Sequence, residues 1–181
     1  LKIEDALELN QLAKENGAVL GVVYQNRFNK PIKLIKQIID ADLMGKRILT
    51  SVRLFWSRNN EYYKGWRGTW ALDGGVMAQQ AIHHLDILQW LNVPVEKVYC
   101  MKKTLINKLE AEDTAIGTIL FQDGSLGSFQ VTTAARPKDL EASITILGEN
   151  GYIEIGGLAL NEIKDINITG MKRCSEDLIY E

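Results

Sequence analysis

Gln79, His83 and Asp86 recur at spacings of four and three within the stretch VMAQQAIHHLDILQWL. At ~100° per residue these three share one face of a helix, with Gln80 beside them. Met77, Ala81, Leu85 and Leu88 fall on the other side and are expected to bury against a sheet. His84 points away from the polar face, toward the edge of the apolar stripe, and reads as structural. Only His83 can therefore share a site with Gln79 and Asp86. An imidazole exchanges a proton near neutral pH, which is what general acid–base work on a hydroxyl or carbonyl requires. An amide one turn earlier can bind a polar substrate. A carboxylate one turn later can orient the ring or favour its protonated form. The plainer alternative is a surface or hydrogen-bonded structural histidine, and a metal reading of His83 with Asp86 lacks a third ligand placed by spacing.

Two further clusters carry chemistry. Tyr62, Tyr63, Trp66 and Trp70 crowd into residues 57–74, a stretch without a clean period, with Arg58 and Arg67 interleaved. Such aromatics are commonly core or interface, but an irregular stretch of this length is uncommon without a function. Arginine binds phosphate bidentately and an aromatic face stacks on a base, so the cluster can equally form a pocket. Gln25-Asn26-Arg27 follow an apolar run and read either as a polar group at a strand end or as an exposed turn.

The elements that would position these residues are legible in outline. Residues 3–16 place Ile3, Ala6, Leu7, Leu9, Leu12 and Ala13 on one helical face, stopped by Asn16-Gly17. AVLGVVY (18–24) reads as a short buried strand. Asn29 followed by Pro31 opens a helix over PIKLIKQIIDADL. KRILTSVRLFW (46–56) reads as a strand, and residues 74–91 as the helix that carries the histidines. Strands follow at 95–104, 113–121, 125–133, 140–147 and 151–155, with weaker candidates at 157–160 and 164–169. Asp123-Gly124 and Asn150-Gly151 mark hairpin turns. The pattern predicts an α+β fold, a largely antiparallel open sheet with helices packed on one face.

Lys+Arg 21 against Asp+Glu 23 leaves a net charge of −2 on 181 residues, which argues against a nucleic-acid footprint or a polybasic membrane surface. No apolar run reaches the roughly 20 residues that span a bilayer. Cys100 and Cys174 form no C-x-x-C, so neither a disulfide framework nor a zinc site is expected, and no metal is assigned. With no secretory leader in view the expected location is the cytoplasm. The sequence opens on Leu1 and contains no G-x-G, so it reads as a piece of a longer protein whose dinucleotide or phosphate cradle lies elsewhere.

These residues resemble the substrate-side half of the Gfo/Idh/MocA oxidoreductases. A strand ends in a polar segment with Arg, here YQNRFN (24–29), and a glycine pair opens a helix with a histidine and an Asp three residues later, here DGGVMAQQAIHHLD (73–86). FWSR (55–58), YYKGWRGTW (62–70), EDTA (112–115), GSLGS (124–128) and ITILGENG (144–151) further resemble one branch, the UDP-N-acetyl-2-amino-2-deoxyglucuronate 3-dehydrogenases of surface-polysaccharide synthesis. The resemblance implies that His83 is the active-site histidine. It puts Gln79 where many members carry Asp, so a carboxylate role is unavailable there. It implies NAD as cofactor, held mainly by a preceding domain, and a catalytic lysine in a Glu-Lys-Pro motif that would fall before Leu1. Residues 1–24 then resemble the last helix and strand of that nucleotide-binding domain, and 25–181 the substrate and oligomerisation domain. The implied substrate is a UDP-sugar oxidised at C3. Gln25, Asn26, Arg27, Arg58, Tyr63, Trp66, Arg67, Thr69 and Gln79 are the candidate substrate-binding residues. The isolated chain is expected not to turn over.

Two other readings stay open at this point. One is a non-catalytic binding or assembly module. The other is an oxidoreductase of the same superfamily acting on a non-nucleotide sugar or inositol. A sheet covered by helices on one face leaves the other for a second subunit, so a homodimer or tetramer through the sheet is expected.

Overall fold

A computed structural model describes residues 2–171; Leu1 and Cys174 lie outside the described residues. Three helices, α1 (Ile3–Glu15), α2 (Lys30–Asp40) and α3 (Ile82–Trp90), accompany seven strands. These are β1 (Arg47–Phe55), β2 (Val95–Lys103), β3 (Thr114–Phe121), β4 (Leu126–Thr132), β5 (Glu141–Gly148), β6 (Gly151–Gly156) and β7 (Glu162–Ile168). They form one sheet in the order β2-β3-β4-β1-β5-β6-β7. Two antiparallel meanders, β2-β3-β4 and β5-β6-β7, flank the central β1, which runs parallel to β4 and antiparallel to β5.

Side chains alternate along the strands, so one face carries the core. Val52 lies in register with Phe129 and Ile144, Leu54 with Val131 and Ala142, and Ile146 with Ile153, all buried. Ile32, Ile35 and Ile38 of α2 and Ile87 and Leu88 of α3 complete this core. Gly117 sits opposite Phe129, whose ring fills the place a Cβ would take, 2.3 Å from its Cζ. The opposite face shows Tyr99, Met101, Ile116 and Leu126, all exposed, beside Ser51, Ser128 and Thr118.

Four expectations need correction. Residues 18–24 are not a strand but an exposed, unpaired stretch, because no partner strand is available to them. α1 forms where the pattern places it, yet buries no residue, with Leu7 and Leu9 exposed. Residues 157–160 form a turn that buries Leu160 rather than a strand. The histidine helix starts at Ile82, not at 74. Residues 75–81 instead make an irregular turn, in which the Ala81 N–H donates to the Val76 carbonyl, five residues back, at 2.8 Å. The Val76 and Met77 N–H groups are drawn to Glu112, to its carbonyl at 2.9 Å and its carboxylate at 3.3 Å. Met77 and Leu85 are consequently only partly buried.

Asn29 holds the N-cap position of α2, but its side chain makes no cap hydrogen bond. It donates to the Ala159 carbonyl at 2.6 Å and pins the β6–β7 connection to the start of the helix.

Candidate active site

A 3-10 turn over Gln25–Phe28 sits between the unpaired segment and α2. It brings Gln25 to α3, where Gln25 Nε2 lies 3.5 Å from His83 Nε2. The Tyr24 ring meets the His83 ring edge-on at 6.3 Å. Asp86 does not orient His83, as its spacing suggested. Its carboxylate accepts from Arg27 Nε at 2.7 Å and from the terminal guanidinium nitrogen at 2.5 Å. An arginine fork in bidentate contact is the stronger competitor for a carboxylate. Arg27 lies between the rings of Tyr24 and Trp90, at 5.4 and 5.3 Å. Asn26 is buried. The 3-10 turn and α3 are thus locked together around His83.

The second cluster is centred on a residue outside the candidate set. Tyr62, not Tyr63, meets the polar face. Its hydroxyl donates to Gln79 Oε1 at 3.1 Å and accepts from Gln80 Nε2 at 3.2 Å. Arg67 and Arg58 lie over its ring at 5.0 and 5.5 Å, and Arg67 also lies over Trp66 at 4.9 Å. Arg58 is engaged by Asp139 at 3.1 Å. Tyr63 is buried, with its hydroxyl 2.6 Å from Thr133 Oγ1; burial pushes its phenol pKa up. It is placed to support the site from behind. Thr69 turns its hydroxyl back to the Trp66 carbonyl at 2.7 Å. Nothing in an aperiodic segment tells which of two adjacent tyrosines meets Gln79 and Gln80, so the choice between 62 and 63 is not available from sequence.

His84 confirms the separation of the two histidines. It is fully buried, edge-on to Trp56 at 5.7 Å, and neither ring nitrogen has a hydrogen-bond partner among the described residues. Burial, with His83 adding to it, drops its pKa to about 4. The folded chain therefore keeps His84 neutral where the unfolded chain, near 6.5, takes up a proton. Its contribution to stability is complete above pH 6.5 and declines as the pH falls toward 4. Between pH 7 and 5 the loss from this group is about 2 kcal/mol. His84→Phe removes no hydrogen bond and is expected to abolish that part of the slope, measured by denaturant unfolding at the two pH values.

Among the described residues no group of three His, Cys, Asp or Glu could hold a metal, and no helix is long and apolar enough to cross a membrane. Cys100 is a free thiol.

No curated protein matches the chain. Among solved structures, the WlbA dehydrogenase from Bordetella pertussis, in complex with NADH and UDP-GlcNAcA, superposes with TM-score 0.88 and 40% identity over 94% of this chain and 53% of its own. The WlbA dehydrogenase from Chromobacterium violaceum, with the same two ligands, gives TM-score 0.90 and 40% identity over 99% of this chain and 52% of its own. Levoglucosan dehydrogenase in complex with NADH shares the fold at TM-score 0.70, 20% identity, 77% of this chain and 40% of its own. The chain thus spans about half the length of the structures it matches. The GFO/IDH/MocA C-terminal domain matches residues 32–154, more than half of the chain. By its fold, by that match and by its two close structural relatives, this chain belongs to the Gfo/Idh/MocA family of oxidoreductases and carries the family's C-terminal α+β domain.

Proposed function

We propose that this chain is the substrate half of an NAD-dependent dehydrogenase that oxidises the C3 hydroxyl of a UDP-N-acetyl-hexosaminuronate in surface-polysaccharide synthesis. The observation that carries the reading is the 40% identity of this chain to two dehydrogenases seen with NADH and UDP-GlcNAcA; the Gln25–His83 contact and the Gln79–Tyr62–Arg67 cluster support it.

In the complete enzyme NAD, when bound, would supply the hydride acceptor. The two WlbA structures seen with NADH are about twice the length of this chain, which supports placing the cofactor mainly on residues outside it. The unburied apolar side chains of α1 and of Val19, Val22 and Val23 support reading residues 1–24 as the last helix and strand of that cofactor domain. The isolated chain does not turn over.

The chain's own residues bind, orient and move a proton. His83 Nε2 holds the sugar hydroxyl proton as it leaves. The Arg27–Asp86 pair fixes the turn that carries Gln25. Arg67, with Trp66, receives the charged and planar parts of the nucleotide sugar. A second copy covers the exposed sheet face. That face leaves Tyr99, Met101, Ile116 and Leu126 unburied, apolar surface that a second copy would cover.

Trp66 is half exposed beside Arg67, so ligand binding is readable in tryptophan emission. Titrating UDP-GlcNAcA into the full-length protein is expected to give a saturable change. A flat titration with UDP-sugars, alongside a response to free sugars or inositol, would overturn the nucleotide-sugar reading.

A further inference from the structure

The Gln79 amide is oriented by its neighbours. Its Oε1 accepts from the Tyr62 hydroxyl at 3.1 Å and from Gln80 Nε2, and Gln80 Nε2 also donates to the Tyr62 oxygen at 3.2 Å. In this arrangement Gln80 Oε1 is buried with no partner among the described residues; reversing the amides would put the two-proton nitrogen of Gln80, a residue 5% exposed, there without an acceptor. That is the costlier arrangement. With Oε1 facing the network, Gln79 Nε2 faces outward from a half-buried side chain with both protons unused among the described residues.

The surroundings offer further donors, and the carboxylates beside this segment are already engaged, Asp73 by the Gly68 N–H at 2.7 Å, Glu110 by the Trp70 N–H at 3.2 Å and Glu112 by the Met77 N–H at 3.3 Å. Arg67 has no carboxylate within ion-pair distance among the described residues, and it lies over the same Tyr62 ring. Asp139 is likewise engaged, by Arg58 at 3.1 Å. Outward amide protons beside an unpaired guanidinium make an acceptor site for a planar anion.

We propose that Gln79 is a specificity-determining residue that receives the carboxylate of a uronate sugar, and that Tyr62 is the positioning residue that turns its amide outward. A carboxylic acid at position 79 would accept the same two hydrogen bonds from Tyr62 and Gln80 while presenting an anion outward, so an amide here selects for an acidic sugar. The carboxylate is assigned to the sugar on the proposed reading, in which Gln79, in the turn that leads into the helix of His83, is a substrate-binding residue. The inference rests on that reading of the chain as a UDP-uronate dehydrogenase domain.

The test compares UDP-GlcNAcA with UDP-GlcNAc, which differ only in having a carboxylate or a hydroxymethyl group on the sugar. Affinities are measured calorimetrically on the full-length protein, wild type, Gln79→Glu and Tyr62→Phe. Gln79→Glu is expected to weaken UDP-GlcNAcA by at least about tenfold and UDP-GlcNAc by less than about twofold. Tyr62→Phe, which frees the amide to rotate, is expected to lower the same ratio by a few fold. The ratio of the two affinities is the readout, since a general loss of folded protein does not move it. An unchanged ratio in Gln79→Glu, whether both ligands weaken alike or neither does, overturns the role of Gln79 and leaves the reaction standing. A wild-type protein that binds neither ligand overturns both.

Discussion

Replacing His83 with alanine in the full-length protein is expected to lower kcat by about two to four orders of magnitude, the range that removal of a positioned general acid–base costs. The ring edge that faces Gln25 carries Nε2, while Nδ1 is buried and without a partner among the described residues, so a substrate hydroxyl is expected to approach from the Nε2 side. The turn that holds Gln25 is fixed to α3 by the Arg27–Asp86 pair, so losing the imidazole leaves the remaining contacts in place. UDP-sugar affinity should therefore change by less than about threefold while turnover collapses, the signature of an interaction made in the transition state. The paired measurement is His84→Phe in the same assay. His84 is wholly buried against Trp56 and should alter kcat by no more than about twofold. Turnover near the wild-type rate in His83→Ala, or equal losses in both variants, would remove His83 from the chemistry.

The distinction between these adjacent histidines was readable in the sequence because it depends on angle alone. Residues one apart on a helix cannot share a face, and Ala81 and Leu88 mark the buried side. Most strands were readable for the same kind of reason: β-branched runs bounded by Asp123-Gly124 and by Asn150-Gly151 leave few alternatives. What periodicity could not supply was the identity of partners. Asp86 sits at a spacing that permits contact with His83, but a guanidinium 59 positions away in sequence takes it. The segment 18–24 has strand-like composition, yet a strand exists only where another strand offers its hydrogen bonds. The late start of α3 has the same origin, since Glu112 takes the Val76 and Met77 N–H groups and fixes a turn in which the Ala81 N–H reaches back five residues to the Val76 carbonyl. In each case a long-range contact decides between locally acceptable options.

Asp113→Ala is expected to be the most damaging single substitution for stability in the site's surroundings, at roughly 3 kcal/mol or more. The Asp113 carboxylate is completely buried and accepts the backbone N–H groups of Leu105, Ile106 and Asn107 at 3.0, 3.0 and 2.9 Å, and the Thr114 hydroxyl at 2.9 Å. Burial alone would push its pKa up, but the three N–H groups and the hydroxyl outweigh burial and hold it below the ordinary carboxylate value. A carboxylate so depressed contributes stability that is complete above the unfolded-state pKa and is lost as the pH falls through the folded-state value. Alanine leaves the donors of the 104–113 connection without their acceptor, and the variant should lose this acid-dependent part of its stability, which denaturant unfolding across pH 2 to 5 measures. The consequence reaches the ligand site. The N–H groups of Glu110 and Ala111 donate to the Gly68 carbonyl at 3.1 and 3.0 Å, and a Cβ on Gly68 would stand 2.6 Å from Leu109 Cβ, so this connection is pressed directly against the segment that carries Tyr62, Trp66 and Arg67. Loosening it should weaken UDP-sugar binding by several fold even where the protein remains folded, while Asp113→Glu, which keeps the charge but lengthens the side chain, should recover part of both losses. An Asp113→Ala protein with wild-type stability and an unchanged acid limb would show that the three backbone donors find other acceptors, and that the carboxylate is not what holds the aromatic segment in place.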